Sequence, residues 1–203
     1  MYDKGSLDYL FSLNPIAFAK GKGKERNYNV KYDTLNFAIS NVVLNYNMAE
    51  FGVYNGDTAK HILYLTKKQN LHLFDSFKGL PKAWCGQPKG AYCADVIPNF
   101  KSNRAIVHSG WFKDSIPIFK KKYTDPFSFI HIDSDLYESA KTVLFSLNEY
   151  IVAGTIIQFD EFYNINSWWQ YEYKALIEWS KEFNRKFEYI GRSDFKQVVI
   201  KCQ

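Results

Sequence analysis

The sequence predicts an α/β domain built on a mostly parallel sheet that closes with an antiparallel hairpin. Two observations carry this. From Thr34 onward, segments of helical period alternate with short apolar runs. The last two runs are separated only by Gly191 to Lys196, too few residues for a parallel crossover. The 203 residues are 46% hydrophobic and 18% aromatic, enough for one core of ordinary size. A single domain over 1–203 is therefore expected, with 1–33 as a lid or substrate region and 34–203 as the core.

The elements follow in order. Leu7 to Phe18 is apolar but broken by Asn14-Pro15, and Lys20-Gly21-Lys22-Gly23-Lys24-Glu25-Arg26 reads as a loop. It lacks the spacing of a phosphate-binding loop, and is either a solvated connection or a lid that meets an anionic substrate. Leu35, Ala38, Ile39, Val42, Val43 and Tyr46 recur at helical spacing, before an apolar run from Met48 to Val53. Gly56 to Lys68 is again helical and leads to the strand Leu71 to Phe74, completing a βαβ unit. Lys78 to Phe100 interrupts the alternation with three prolines and three glycines, and is expected to be a long, functional loop.

The alternation resumes with a strand at Ala105 to Val107, a helix from Asp114 to Lys122, a strand at Phe127 to Ile132 and a helix from Leu136 to Ile151. A strand at Thr155 to Phe159, a helix from Trp168 to Asn184, and the strands Lys186 to Ile190 and Gln197 to Lys201 complete the chain. Seven strands with helices between them imply a sheet covered on both faces, wound in the Rossmann manner.

Composition narrows the setting. The three cysteines are too few for a disulfide scaffold, and a reduced, cytoplasmic location is expected. No apolar run approaches the roughly 18 to 20 residues that cross a bilayer. Asp3, Lys4 and Asp8 fall where an export signal would be uncharged. The net charge of +5 is spread over a whole domain, so no nucleic-acid partner is expected, and it suits an anionic small substrate equally well. A homo-oligomer is compatible with this reading.

In such folds ligands bind beyond the carboxyl ends of the strands. After the first strand the chain reads Glu50-Phe51-Gly52-Val53-Tyr54-Asn55-Gly56-Asp57-Thr58. Its glycines permit a sharp turn into a helix N-terminus, while Glu50 disfavours a pyrophosphate and favours a cationic group such as an ammonium or a sulfonium. Asp75 ends the second strand 25 residues later, near the offset at which a carboxylate meets ribose hydroxyls, or else caps its own turn. Asp133 and Asp135 follow the fourth strand, and Asp160 and Glu161 the fifth. Four neighbouring carboxylates need compensation, either by a hard cation such as Mg²⁺ or Mn²⁺ or by helix caps and lysines such as Lys141 and Lys174. His61, His72 and His131 read as packing or supporting histidines, and Trp168, Trp169, Tyr171 and Tyr173 as core aromatics or a stacking surface.

The runs Glu50 to Thr58, Phe74-Asp75-Ser76-Phe77-Lys78-Gly79-Leu80-Pro81, Gly110-Trp111-Phe112, His131 to Glu138 and Asp160-Glu161-Phe162 resemble the motifs of macrocin-type sugar O-methyltransferases. The resemblance implies a class I methyltransferase fold using S-adenosylmethionine and Mg²⁺. It places the methionine portion of the cofactor at Glu50, Gly52 and Gly56, its ribose at Asp75 and Ser76, and its adenine at Ser109, Gly110 and Trp111, with Tyr54, Thr58 and Asp133 completing that site. Asp133, Asp160 and Glu161 would hold the metal, and Asp135 would be the general base beside a catalytic Asp133. Glu161 departs from the family's second aspartate. The expected reaction is methyl transfer to a hydroxyl of a sugar or other polyol. The rival readings are a protein that binds the cofactor without turnover, and a nucleic-acid methyltransferase, whose Asn/Asp-Pro-Pro-aromatic run is absent from the sequence.

Overall fold

In the computed structural model, which describes residues 3–19 and 24–203, seven strands form one sheet in the order β3-β2-β1-β4-β5-β7-β6. In chain order the elements are α1 (Leu7–Ser12), α2 (Lys24–Ser40), β1 (Asn47–Phe51), α3 (Asp57–Leu65), β2 (Leu71–Asp75), β3 (Ala105–Ser109) and α4 (Phe112–Lys120). They continue with β4 (Phe127–Ile132), α5 (Tyr137–Ser146), β5 (Ile156–Phe159), α6 (Glu172–Glu182), β6 (Phe187–Arg192) and β7 (Val198–Cys202). β1 to β5 pair in parallel, while β7 runs antiparallel to both β5 and β6, as the short connection requires.

Burial explains the strand compositions. β4 and β5 are buried at every position, so both alternate faces must be apolar, and Phe129, Ile130, Ile156 and Ile157 supply them. Edge strand β6 alternates buried and partly exposed residues, because only one of its faces is covered. The cores lie on either side of the sheet. One joins α4, α5 and α6 through Ile116, Phe119, Val143, Leu144, Leu176 and Trp179; the other joins α2 and α3 through Leu35, Ala38, Ala59 and Ile62. No helix among the described residues is long and apolar enough to cross a membrane.

The first long helix differs from its expected bounds. α2 begins at Lys24, inside the basic segment read as a loop, and stops at Ser40; the first four residues of that segment, 20–23, lie outside the described residues. The side chains of Ser40 and Asn41 both donate to the Phe37 carbonyl and close the last turn. Val43 and Tyr46, which continue the apolar period, stand exposed in the link to β1. The two later helices are shorter than expected, each giving up one end to a 3₁₀ turn, at Asn148–Tyr150 and Trp168–Gln170.

The strand order reverses between β1 and β4, since β1 leads outward to β2 and β3 while β4 leads to β5. The register there pairs Phe51 with Ile132, which sets Gly52 beside Asp133. A crevice opens at such a reversal, beyond the carboxyl ends of the strands.

Candidate active site

A cavity of about 920 Å³ occupies this crevice. Of the residues singled out from sequence, Gly52, Tyr54, Thr58, Asp75, Ser76, Trp111, Asp133, Asp135 and Glu161 line it. Glu50, Gly56, Ser109, Gly110 and Asp160 are not in its wall. The long loop after β2 contributes Gly79, Leu80, Pro81, Trp84, Lys89 and Tyr92, so its irregular chain serves as one side of the cavity. Tyr54 and Tyr92 meet edge to face, with ring centroids 6.0 Å apart.

The loop after β1 is shaped by a close approach. Gly52 has φ of +93°, and a Cβ built there would stand 1.7 Å from the Asp133 carbonyl oxygen, so no side chain fits. Asp75 braces the same loop. Its Oδ2 accepts from the backbone N–H of Val53 and Tyr54 at 2.7 and 2.8 Å, and its Oδ1 accepts from Phe77 N–H at 2.8 Å. The carboxylate thus caps its own turn and also anchors the glycine loop.

Glu50 lies beneath that loop, fully buried, with Oε1 2.9 Å from His131 Nδ1. His131, mid-strand on β4, is therefore the support of Glu50. Burial raises the Glu50 carboxyl above its ordinary range, with His131 opposing it; burial lowers His131, but the Glu50 hydrogen bond and the charges of Glu50, Asp133 and Asp160 together outweigh it and raise it. Glu50 Oε2 has no hydrogen-bond partner, although the Thr58 hydroxyl is near enough to favour the ionised form.

The four carboxylates do converge, and two lysines stand among them. Lys31 Nζ, from α2, lies 2.7 Å from Asp133 Oδ2 and 2.9 Å from Asp160 Oδ2. Lys196 Nζ, from the turn between β6 and β7, pairs with Glu161 Oε1 and lies 3.7 Å from Asp160 Oδ2. Gln197 Nε2 donates to Asp160 Oδ1 at 3.2 Å, and Glu172 Oε2 accepts from Glu161 N–H at 2.9 Å. Burial would raise the Asp160 carboxyl, but Lys31 and Lys196 outweigh it and hold it well below the usual range. Burial, then the neighbouring Asp160, pushes Glu161 well up; burial does the same to Glu172. Among the described residues no cation lies within salt-bridge distance of Asp135, and burial with the adjacent Asp133 pushes it up to about 7. It adopts φ of +59°, a strained conformation of the kind that persists where surroundings dictate it.

These contacts do not fit a magnesium ion held by Asp133, Asp160 and Glu161. Among the described residues, the acidic and histidine groups whose ligand atoms all lie within 4.8 Å of one another are His131 with Asp133 and Asp160, and Asp133 with Asp135 and Glu161. The expected trio is neither set. Mg²⁺ requires oxygen ligands near 2.0 to 2.1 Å in octahedral array. A divalent ion about 4 Å from an ammonium meets roughly 8 kcal/mol of repulsion at an effective dielectric of about 20.

Lys31, Lys196, Glu172 and Gln197 were not singled out from sequence, and Lys141 and Lys174 pair instead with Glu178, away from this cluster. Tyr173 packs on Phe162 and Tyr171 on Trp84, Trp169 is exposed, and none of the four aromatics of that segment lines the cavity. All three cysteines are free thiols.

A switch-point crevice with a glycine turn, a strand-end carboxylate at Asp75 and an antiparallel last strand inside the sheet define a class I methyltransferase fold. A family model described as a methyltransferase domain matches residues 49–162, and the chain belongs to this methyltransferase family. The solved O-methyltransferase NovP is similar, at 18% identity and a TM-score of 0.66, over 84% of this chain and 78% of that one. The calicheamicin methyltransferase CalS11 is 16% identical with a TM-score of 0.67, over 88% of this chain and 80% of that one. An S-adenosyl-L-methionine methyl transferase from Silicibacter pomeroyi is 11% identical with a TM-score of 0.55, over 90% of this chain and 100% of that one. No curated protein matches the sequence.

Proposed function

We propose that this chain transfers a methyl group from S-adenosylmethionine to a hydroxyl of a sugar or related polyol. The observation that carries the reaction type is Asp135, a carboxylate in the cavity wall pushed up to about 7, where a general base works well near neutral pH. The similarity to NovP supports transfer to oxygen, and that to CalS11, also described as a TDP-rhamnose 3'-O-methyltransferase, supports a sugar acceptor. The magnesium ion expected from the resemblance is not part of this proposal, because Lys31 and Lys196 already stand on its carboxylates.

The residues fit the cofactor. Glu50 lies buried beneath the Gly52 turn, outside the cavity wall, with one oxygen unbonded, and its charge would favour a cationic group above that turn; in the wall itself Asp75, Ser76 and Trp111 offer polar and aromatic surface for a nucleoside. When bound, S-adenosylmethionine supplies an electrophilic methyl group on a sulfonium. Gly52 and the braced Val53–Tyr54 backbone give it room, and the loop carrying Trp84 and Tyr92 screens the cavity from water. Asp135 accepts the proton of the acceptor hydroxyl, and holding the partners together supplies most of the rate.

The test is a titration with S-adenosylhomocysteine by calorimetry, then a screen of nucleotide sugars and free sugars for methyl transfer. The expected result is cofactor-product binding and turnover of at least one hydroxyl acceptor, falling about 10²- to 10⁴-fold in Asp135→Asn. Undiminished turnover in that variant removes Asp135 as base. Absence of S-adenosylhomocysteine binding removes the whole reading.

A further inference from the structure

We propose that Lys31 and Lys196 occupy the place of a divalent cation in this site, so that the chain binds its ligands without a metal. The two lysines come from α2 and from the β6–β7 turn, 165 residues apart in sequence, and their ammonium groups meet over Asp160. Neither is a surface charge: the Lys31 side chain is 19% exposed and that of Lys196 10%, beside an Asp160 that is completely buried. Between them they contact one oxygen of each of Asp133, Asp160 and Glu161, the three carboxylates that a metal would need. The remaining Asp160 oxygen accepts from Gln197.

An ammonium also performs part of a metal's task. It has three N–H donors, and Lys31 gives a hydrogen bond to Asp133 alone, its 2.9 Å approach to Asp160 being an ion pair that leaves Asp160 Oδ2 without a hydrogen bond, so with its side chain in the cavity wall it keeps donors for an acceptor oxygen. That donation would hold the hydroxyl near Asp135 and stabilise its developing charge. This last step rests on the methyl-transfer reading; the exclusion of metal does not.

The experiment is Mn²⁺ binding followed by electron paramagnetic resonance, with S-adenosylhomocysteine present, on the parent, Lys31→Met, Lys196→Met and Asp160→Asn. The expected parent binds no Mn²⁺ at millimolar ion, and EDTA leaves its affinity for S-adenosylhomocysteine unchanged. At least one lysine variant, checked for folding by circular dichroism, gains a bound Mn²⁺. Stoichiometric Mn²⁺ on the parent, lost in Asp160→Asn, overturns the proposal, as does failure of both folded lysine variants to gain the ion. If neither lysine variant folds, the parent decides alone: bound Mn²⁺ overturns the proposal and its absence upholds it. A parent that ignores both Mn²⁺ and S-adenosylhomocysteine sinks the cofactor reading instead, so the two failures are told apart.

Discussion

The Asp133 carbonyl oxygen occupies the space that a Cβ on Gly52 would need, at 1.7 Å from its position. The floor of the cavity is thus two backbones in contact, one leaving β1 and one leaving β4. Gly52→Ala must displace one of them and also adopt φ of +93°, a conformation that costs about 1 to 3 kcal/mol by itself. Urea denaturation should show at least that loss, and S-adenosylhomocysteine should no longer bind in calorimetry. Normal affinity in the variant would mean that the turn is not part of the cofactor site.

His131→Leu leaves the buried Glu50 carboxyl without its 2.9 Å partner. Removing one member of a buried pair costs about 3 to 5 kcal/mol, which chemical denaturation would register directly. A loss under about 1 kcal/mol, the size of an exposed pair, would show that Glu50 is already neutral and does not depend on the histidine.

Asp75→Asn offers one oxygen where three backbone N–H groups now converge, and turns an amide N–H toward donors. The expected loss is about 1 to 3 kcal/mol, with weaker S-adenosylhomocysteine binding because the glycine loop loses its anchor. Unchanged amide exchange at Val53 and Tyr54 would contradict the bracing role.

The His72–His108 pair should withdraw stability on mild acidification, against the buried acids Asp135, Glu161 and Glu172, whose raised carboxyls act in the opposite sense. His72 Nδ1 lies 2.9 Å from His108 Nε2 among Phe119 and Tyr123, and burial lowers both imidazoles from 6.5 to about 4. Between those values these two residues bind more protons in the unfolded chain than in the folded one, so the stability they contribute is present above pH 6.5 and is lost as pH falls toward 4. Denaturation midpoints between pH 7.5 and 5 check this (a range chosen to bracket the histidine titration, about 6.5 when unperturbed). The parent should lose stability relative to the His72→Leu/His108→Leu double variant as pH falls, and a difference that does not change with pH would clear the pair.

The sheet was legible because its signals are local. β4 falls at Phe127–Ile132 as its apolar run predicts, and a six-residue gap cannot hold a crossover, which fixes the antiparallel end. Helix bounds were less so, since Val42, Val43 and Tyr46 extend the period of α2 beyond the point where Ser40 and Asn41 close it. In the site, the carboxylates announce themselves by following strands, whereas their counter-charges do not. Lys31 is four residues before Leu35 and so shares the inward side of α2, but only if the helix starts before Thr34, at Lys24. Lys196 sits in a turn where a lysine ordinarily points to water, and only the placement of β7 brings it to Glu161. Asp75 shows the same limit: its chemistry is written in the residue, but the loop it braces is 21 and 22 residues away.

The insertion of β7 between β5 and β6 also constrains the order of events during synthesis. β6 emerges first, yet its place is one strand further out, so it cannot dock on the sheet when made. The edge of β5 must wait, with Ile156 to Phe159 unpaired on that side, until Val198 to Cys202 has left the ribosome. Asp160 and Glu161 wait with it, because Lys196 arrives on the same stretch of chain. On this topology the outer edge of β5 and the acids that follow it stand side by side until β7 is made, and acidic side chains next to an open edge disfavour its pairing with another chain.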